Sequence, residues 1–171
     1  MRRSLTSCTL AAALALSVAA VGAFASTASA SPQVGCDAAR APMHCFVIEP
    51  EVRQKSTAYP QIQFEAGNRV FIEAGGCVQT GGHGKTWKRY VDPASDSDLY
   101  HGLIGLPDGF VDRRLQGLVG TQVIILEAGP LVLGYEDDNY GDNGYYARNS
   151  DNGTGNQCLG LGNAWVRLSI T

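Results

Sequence analysis

Beyond residue 31 the chain has almost no helical periodicity. Its apolar residues fall in short runs separated by clusters of Gly, Pro, Asn and Asp. Short apolar or alternating runs bounded by such clusters form strands, and many of them at close spacing build a sandwich or barrel. The pattern predicts an all-β chain, specifically a single-domain β-sandwich of jelly-roll type. The expected strands cover residues 45–48, 61–65, 69–74, 103–105, 115–119, 122–127, 131–135, 144–147 and 164–170. Residues 164–170 alternate cleanly, placing Trp165 and Arg167 on one face and Val166 and Leu168 on the other. The continuous run Val123-Ile124-Ile125-Leu126 is expected in a buried central strand. Ala66-Gly67-Asn68 reads as a turn, and Gly129-Pro130 as the turn of a hairpin between the strands beside it. Two long polar loops, 80–98 and 148–162, are of the kind that carry function or remain disordered.

The first 30 residues have the composition of a secretory signal. Arg2 and Arg3 form the basic start, residues 10–24 the apolar stretch, and Ala28-Ser29-Ala30 the small-residue cleavage site. The mature chain would begin at Ser31. Residues 31–58 are expected as an N-terminal arm holding Cys36 and Cys45, and residues 59–171 as the sandwich. Leu5-Thr6-Ser7-Cys8 resembles a lipidation signal but precedes the apolar stretch, so it is rejected. No later apolar run reaches the roughly 18 residues needed to span a membrane. The expected location is extracellular. Cys36, Cys45, Cys77 and Cys158 remain after the signal, an even count that suggests two disulfides in an exported chain. Three pairings are possible. The favoured one joins Cys36 to Cys45 across a short loop and Cys77 to Cys158 across two distant segments. No two of these cysteines are separated by only two residues, which argues against a four-cysteine zinc site.

Beyond residue 30 there are 11 basic and 16 acidic side chains, a net charge of −5. Nucleic acid is a poor partner for such a chain, because phosphate binding needs a basic face. The small group Lys85, Lys88 and Arg89 reads as a solvated loop.

The acidic residues are concentrated. Glu136 to Asn143 holds four carboxylates and two side-chain amides on a Gly-punctuated loop. Such a density of hard oxygens is costly unless a cation neutralises it. Ca²⁺ suits the chemistry, since it takes 6–8 oxygen ligands from carboxylates, amides, backbone carbonyls and water. An EF-hand is excluded. Counting from Asp137, position five would be Gly141 and position twelve would be Arg148 rather than Glu.

The run Leu131-Val132-Leu133-Gly134-Tyr135-Glu136-Asp137, then Tyr140-Gly141-Asp142-Asn143-Gly144, precedes the terminal strand around Trp165. Upstream lie Ala66-Gly67-Asn68, an apolar strand and Ala74-Gly75-Gly76. Together these resemble the calcium-dependent galactose-binding bacterial lectins of the PA-IL type, over about residues 59–147 and 163–170. The resemblance implies one Ca²⁺ that holds the loop and also binds two sugar hydroxyls. Its ligands would be the side chains of Asp137, Asp142 and Asn143 with the backbone carbonyls of Asn139 and Thr80. This loop is one residue shorter than the family's, so Tyr140 could replace Asn139. The family's sugar-contacting histidine and glutamine fall near Asp98 and His101, which become the rim candidates. Residues 146–162 are an insertion.

His44, His83 and His101 are widely separated, and neither H-E-x-x-H nor G-x-S-x-G occurs. Asp137/Asp138 and Asp96/Asp98 could form a glycosidase pair, but neighbouring carboxylates in one charged turn suit a shared cation better. Trp87 is the best aromatic for stacking on a sugar, with packing beneath its loop as the alternative. Asn152-Gly153-Thr154 is an N-glycosylation sequon. The reading is therefore a secreted, non-enzymatic, calcium-dependent carbohydrate-binding module, with galactose or another diol-bearing sugar as partner. Homo-oligomers would supply avidity. The alternatives are a secreted interaction protein with a purely structural Ca²⁺ and a secreted glycoside hydrolase.

Overall fold

A computed structural model of the chain describes residues 32–39, 41–81, 87–91, 102–108, 113–145, 158 and 160–171. These residues form an all-β fold of three antiparallel sheets. The strands are β1 (Gln33–Asp37), β2 (Met43–Ile48), β3 (Ser56–Phe64), β4 (Arg69–Gly75), β5 (Cys77–Gln79), β6 (Trp87–Arg89), β7 (Gly102–Gly105), β8 (Arg113–Arg114), β9 (Gln122–Ile124), β10 (Gly129–Tyr135), β11 (Gly144–Tyr145) and β12 (Trp165–Ile170). One sheet has the order β1-β2-β12-β4-β9, the second β3-β10-β7-β8, and a small third sheet β11-β5-β6. Among the described residues no helix is long and apolar enough to cross a membrane.

Period-two alternation explains the layering. In β12, Val166, Leu168 and Ile170 are buried, while Trp165, Arg167 and Ser169 face outward. In β2, Cys45 and Val47 point inward while His44 and Phe46 are exposed. The second sheet answers with Tyr59, Ile62 and Phe64 from β3, and Leu131, Leu133 and Tyr135 from β10. These side chains form one core between the two larger sheets. Within β3, Pro60 cannot donate to a ladder, and the pairing with β10 shifts register beside it, from Pro130↔Gln63 to Leu131↔Tyr59.

Both disulfides have the expected pairing. Cys36–Cys45 joins directly opposed residues of β1 and β2. Cys77–Cys158 spans 81 residues and is buried with Trp87 as a second small apolar cluster.

Several local expectations change. The segment read as an arm supplies β1 and β2, and β2 lies inside the five-stranded sheet between β1 and β12. Its own inward pair, Cys45 and Val47, is what seats it there. Leu115–Gly117 is a 3₁₀ turn rather than a strand, with Leu115 buried and the chain turning through Leu118 to Gly120. The run Val123–Leu126 is not a central strand. It belongs to the sheet edge, where Ile125 is buried but Ile124 is 52% and Leu126 62% exposed. Nor do β9 and β10 form a hairpin: β9 pairs with β4, whereas β10 pairs with β3 and β7. Gly129-Pro130 thus begins a strand of the opposite sheet. The Ala66-Gly67-Asn68 turn also crosses between sheets, with Gly67 at φ 94° and the Glu65 N–H bonded to the Asn68 side chain at 2.7 Å.

Candidate functional site

The acidic loop leaves the end of β10 and returns as β11, so its two ends are fixed in different sheets. Within it, Asn139 shapes the turn: its side-chain oxygen accepts from the Gly141 N–H (3.1 Å) and its carbonyl from the Asp142 N–H (3.4 Å). Such local side-chain-to-backbone bonds are what make Asn a turn residue.

Beyond the turn, Asn143 is drawn inside. Only 7% exposed, it donates its amide N–H to the Val52 carbonyl at 2.7 Å. The ladder between β11 and β5 pairs Gly144 with Gln79 and Tyr145 with Val78. One step further along the same register sets Asn143 opposite Thr80, which is 1% exposed. Asp137, at the other end of the loop, meets Asn143 by side-chain hydrogen bonding. Three of the residues expected as metal ligands, Thr80, Asp137 and Asn143, are thereby drawn together.

Their oxygens have a shared peculiarity. Thr80 Oγ1, Asp137 Oδ2 and Asn143 Oδ1 are each sealed from solvent with no hydrogen-bond partner among the described residues. Asp137 as a residue is half-buried, and its other carboxylate oxygen accepts the Asp138 N–H at 2.8 Å. Burial raises the Asp137 carboxyl above its ordinary pKa, opposed by hydrogen bonds from the Asn143 side chain and the Asp138 backbone. A buried acceptor without a partner normally costs about 1–3 kcal/mol. Three such oxygens, on residues linked by the β11–β5 register and the Asp137–Asn143 hydrogen bond, are hard donors of the chemical type that Ca²⁺ takes.

The site is poor in charge. Among the described residues no three His, Cys, Asp or Glu side chains gather as a metal cluster. The residues brought together carry one carboxylate, one amide and one hydroxyl instead. Asp142 is half-buried and Asn139 exposed, and the latter's oxygens serve the turn. For Thr80 the unpartnered side-chain atom among the described residues is its hydroxyl, whereas the expected ligand is its backbone carbonyl. Asp98 and His101, the expected rim residues, lie outside the described residues, as do His83, Asp96 and the Asn152 sequon. Trp87 is fully buried against the Cys77–Cys158 disulfide, so packing is its role and it offers no face to a ligand.

A brace missed from the sequence holds the site from behind. Glu51, Val52 and Arg53 run beneath Asn143 and Tyr145. The Glu51 N–H donates to the Tyr59 hydroxyl oxygen (2.8 Å), and the Tyr145 hydroxyl donates to the Glu51 carboxylate (3.3 Å). The Arg53 guanidinium sits 5.5 Å from the centre of the Tyr145 ring. Burial pushes the Tyr59 hydroxyl up to about 12 and raises that of Tyr145 as well, so both stay protonated at neutral pH. No composition signal in residues 51–53 marks them, because the contacts that tie them to Asn143 and Tyr145 are with residues about 90 positions away.

No family model, curated protein or solved structure matches this chain.

Lys55, Leu103, Arg114, Glu136 and Tyr140 line an open cleft of about 290 Å³. Arg114 and Glu136 form an ion pair across it at 3.2 Å.

Proposed function

We propose that the protein binds carbohydrate through a Ca²⁺ held by its acidic loop. The observation that carries this reading is the trio of buried, unpartnered oxygens on Thr80, Asp137 and Asn143. A folded protein rarely leaves three acceptors unsatisfied at neighbouring positions, and a cation supplies what all three lack. Further ligands would come from Asp142 or a loop carbonyl, leaving positions for water or for a vicinal diol that displaces water. Ligand charge sets affinity, and a site with so little charge falls in the range of extracellular modules, about 10⁻⁴–10⁻³ M. The signal-like leader and the two disulfides are consistent with an oxidising, extracellular setting where calcium is millimolar.

Calorimetric titration tests the reading in two steps. Calcium should bind to the chelator-treated protein, and galactose or another neutral hexose should then bind only to the calcium-loaded form. Failure of the first step removes the metal site. Success of the first and failure of the second across a hexose panel would leave a structural calcium that rigidifies the loop. That second reading rests on the same three oxygens.

A further inference from the structure

The outer face of the five-stranded sheet carries an open trough of about 430 Å³, and its origin is visible in two glycines. On β2 the Phe46 ring lies over Gly35 of β1, so close that a Cβ there would stand 2.9 Å from the ring. On β12 the Trp165 ring lies over Gly75 of β4, 3.2 Å from the corresponding point. Both rings are laid sideways onto a neighbouring strand, in opposite directions. The backbone of β2 and β12 between them, at Cys45 and Leu168, becomes the floor. Glycine beneath an aromatic lets the ring lie flat, and the Phe46 ring, 38% exposed, presents its face outward.

The polar groups around the floor are both donors and acceptors. Arg167 stands between Phe46 and Glu73 in the ladder, its guanidinium 4.9 Å from the Trp165 ring. Among the described residues the Glu73 carboxylate makes no ion pair or hydrogen bond. At one end His44 Nδ1 and the Ser169 hydroxyl share a hydrogen bond of 3.0 Å.

We propose that this trough is a second carbohydrate site, independent of calcium, for a neutral sugar chain. Several observations select that occupant. The volume is that of a small-ligand site, which runs about 300–1,000 Å³. One cation and one anion cancel, so a charged ligand would gain at Arg167 what it loses at Glu73, or the reverse. A pyranose offers an apolar face for the Phe46 ring and a rim of hydroxyls that both donate and accept. The floor strands already have partners on both sides, β2 with β1 and β12, and β12 with β2 and β4, so an extended peptide cannot add to them. A second copy of this chain fits poorly, because two identical hollows facing each other across a two-fold axis leave both unfilled. The site shares no residue with the acidic loop, and it does not depend on the calcium reading.

The test is a titration of the purified protein in excess EDTA with neutral tetrasaccharides of β-1,4-linked glucose, mannose and N-acetylglucosamine. Binding is followed by calorimetry and by emission from Trp165. At least one tetrasaccharide should bind saturably, and Phe46→Ala should weaken it by about ten-fold. Glu73→Ala, at an exposed position whose carboxylate has no hydrogen bond or ion pair among the described residues, should weaken it as well and carries the test if Phe46→Ala does not fold. Asp137→Asn should leave this binding unchanged while removing any calcium-dependent sugar response, which separates the two sites. The proposal is overturned if no tetrasaccharide binds in EDTA, or if neither variant alters the binding. It is equally overturned if the protein is a dimer that Phe46→Ala dissociates.

Discussion

Replacing Asp137 by Asn should reverse its effect on stability according to whether calcium is present. Without the metal, the wild-type site holds a sealed carboxylate oxygen, Asp137 Oδ2, and the Thr80 hydroxyl and Asn143 Oδ1 are likewise sealed, none with a hydrogen-bond partner among the described residues. The Asp137→Asn change would remove the charge and supply two N–H donors on a side chain of nearly the same shape. One new buried hydrogen bond is worth about 1 kcal/mol, and relief of the desolvated carboxylate adds to it. For a domain of this size 1 kcal/mol moves the melting temperature by about 3 °C, so in EDTA the variant should melt about 3 °C or more above wild type. With calcium in excess the order inverts. At roughly 10 mM metal and a dissociation constant of about 10⁻⁴–10⁻³ M, the wild type gains about 1.4–2.7 kcal/mol, or roughly 4–8 °C. The variant, lacking the only carboxylate in the trio, should gain little. Differential scanning calorimetry of both proteins in EDTA and in calcium gives the four melting temperatures. If the variant is the less stable protein in EDTA and calcium leaves wild type unmoved, the orphaned oxygens are not a cation site.

The same group gives a pH dependence. Burial raises the folded-state value of Asp137 above its unfolded one, so the folded protein holds that proton more tightly. Stability from this group is therefore present at low pH and lost as pH rises through the raised value. The advantage of Asp137→Asn over wild type in EDTA should shrink as pH falls from about 7 toward about 4, as chemical denaturation at each pH would reveal. Asn143→Ala strands the buried Val52 carbonyl and should cost about 1–3 kcal/mol in urea unfolding in EDTA, and more with calcium in excess, where a ligand oxygen is lost as well. Removing Cys77–Cys158 frees a loop of 81 residues, for which chain entropy predicts a loss of about 4.5 kcal/mol. Removing Cys36–Cys45, with a separation of only 9 residues, should cost about 2.6 kcal/mol by the same relation, and comparing the denaturation midpoints of the two double variants checks the ranking.

What could be read from the chain depended on the range of the interaction involved. Alternation in Trp165–Ile170 is a local property of one strand, and it assigned each side chain to its correct face. The favoured disulfide pairing rested on sequence separation, and the fold brings the same partners together. The run Val123–Leu126 misled because four consecutive apolar residues do not reveal how many neighbours a strand has. Here the strand is a sheet edge and only Ile125 is fully covered. Gly129-Pro130 marks a change of direction correctly, yet turn chemistry is blind to whether the next strand returns to the same sheet or crosses to the other. The acidic loop advertised Asp137 and Asn143 by composition. The Thr80 hydroxyl and the Val52 carbonyl carry no such signal, because each becomes part of the site only when β5 and the 51–53 segment are folded against the loop.

The cross-strand link between Cys36 and Cys45 has a consequence for association. Strand β1 is the rim of its sheet, and rim strands are the segments most easily exchanged between molecules or recruited into fibres. A covalent tie to the adjacent strand means β1 cannot peel away to enter another copy while the bond is intact. Reduction would release that restraint at one of the sheet's two borders, so the reduced chain should be the form that swaps and aggregates.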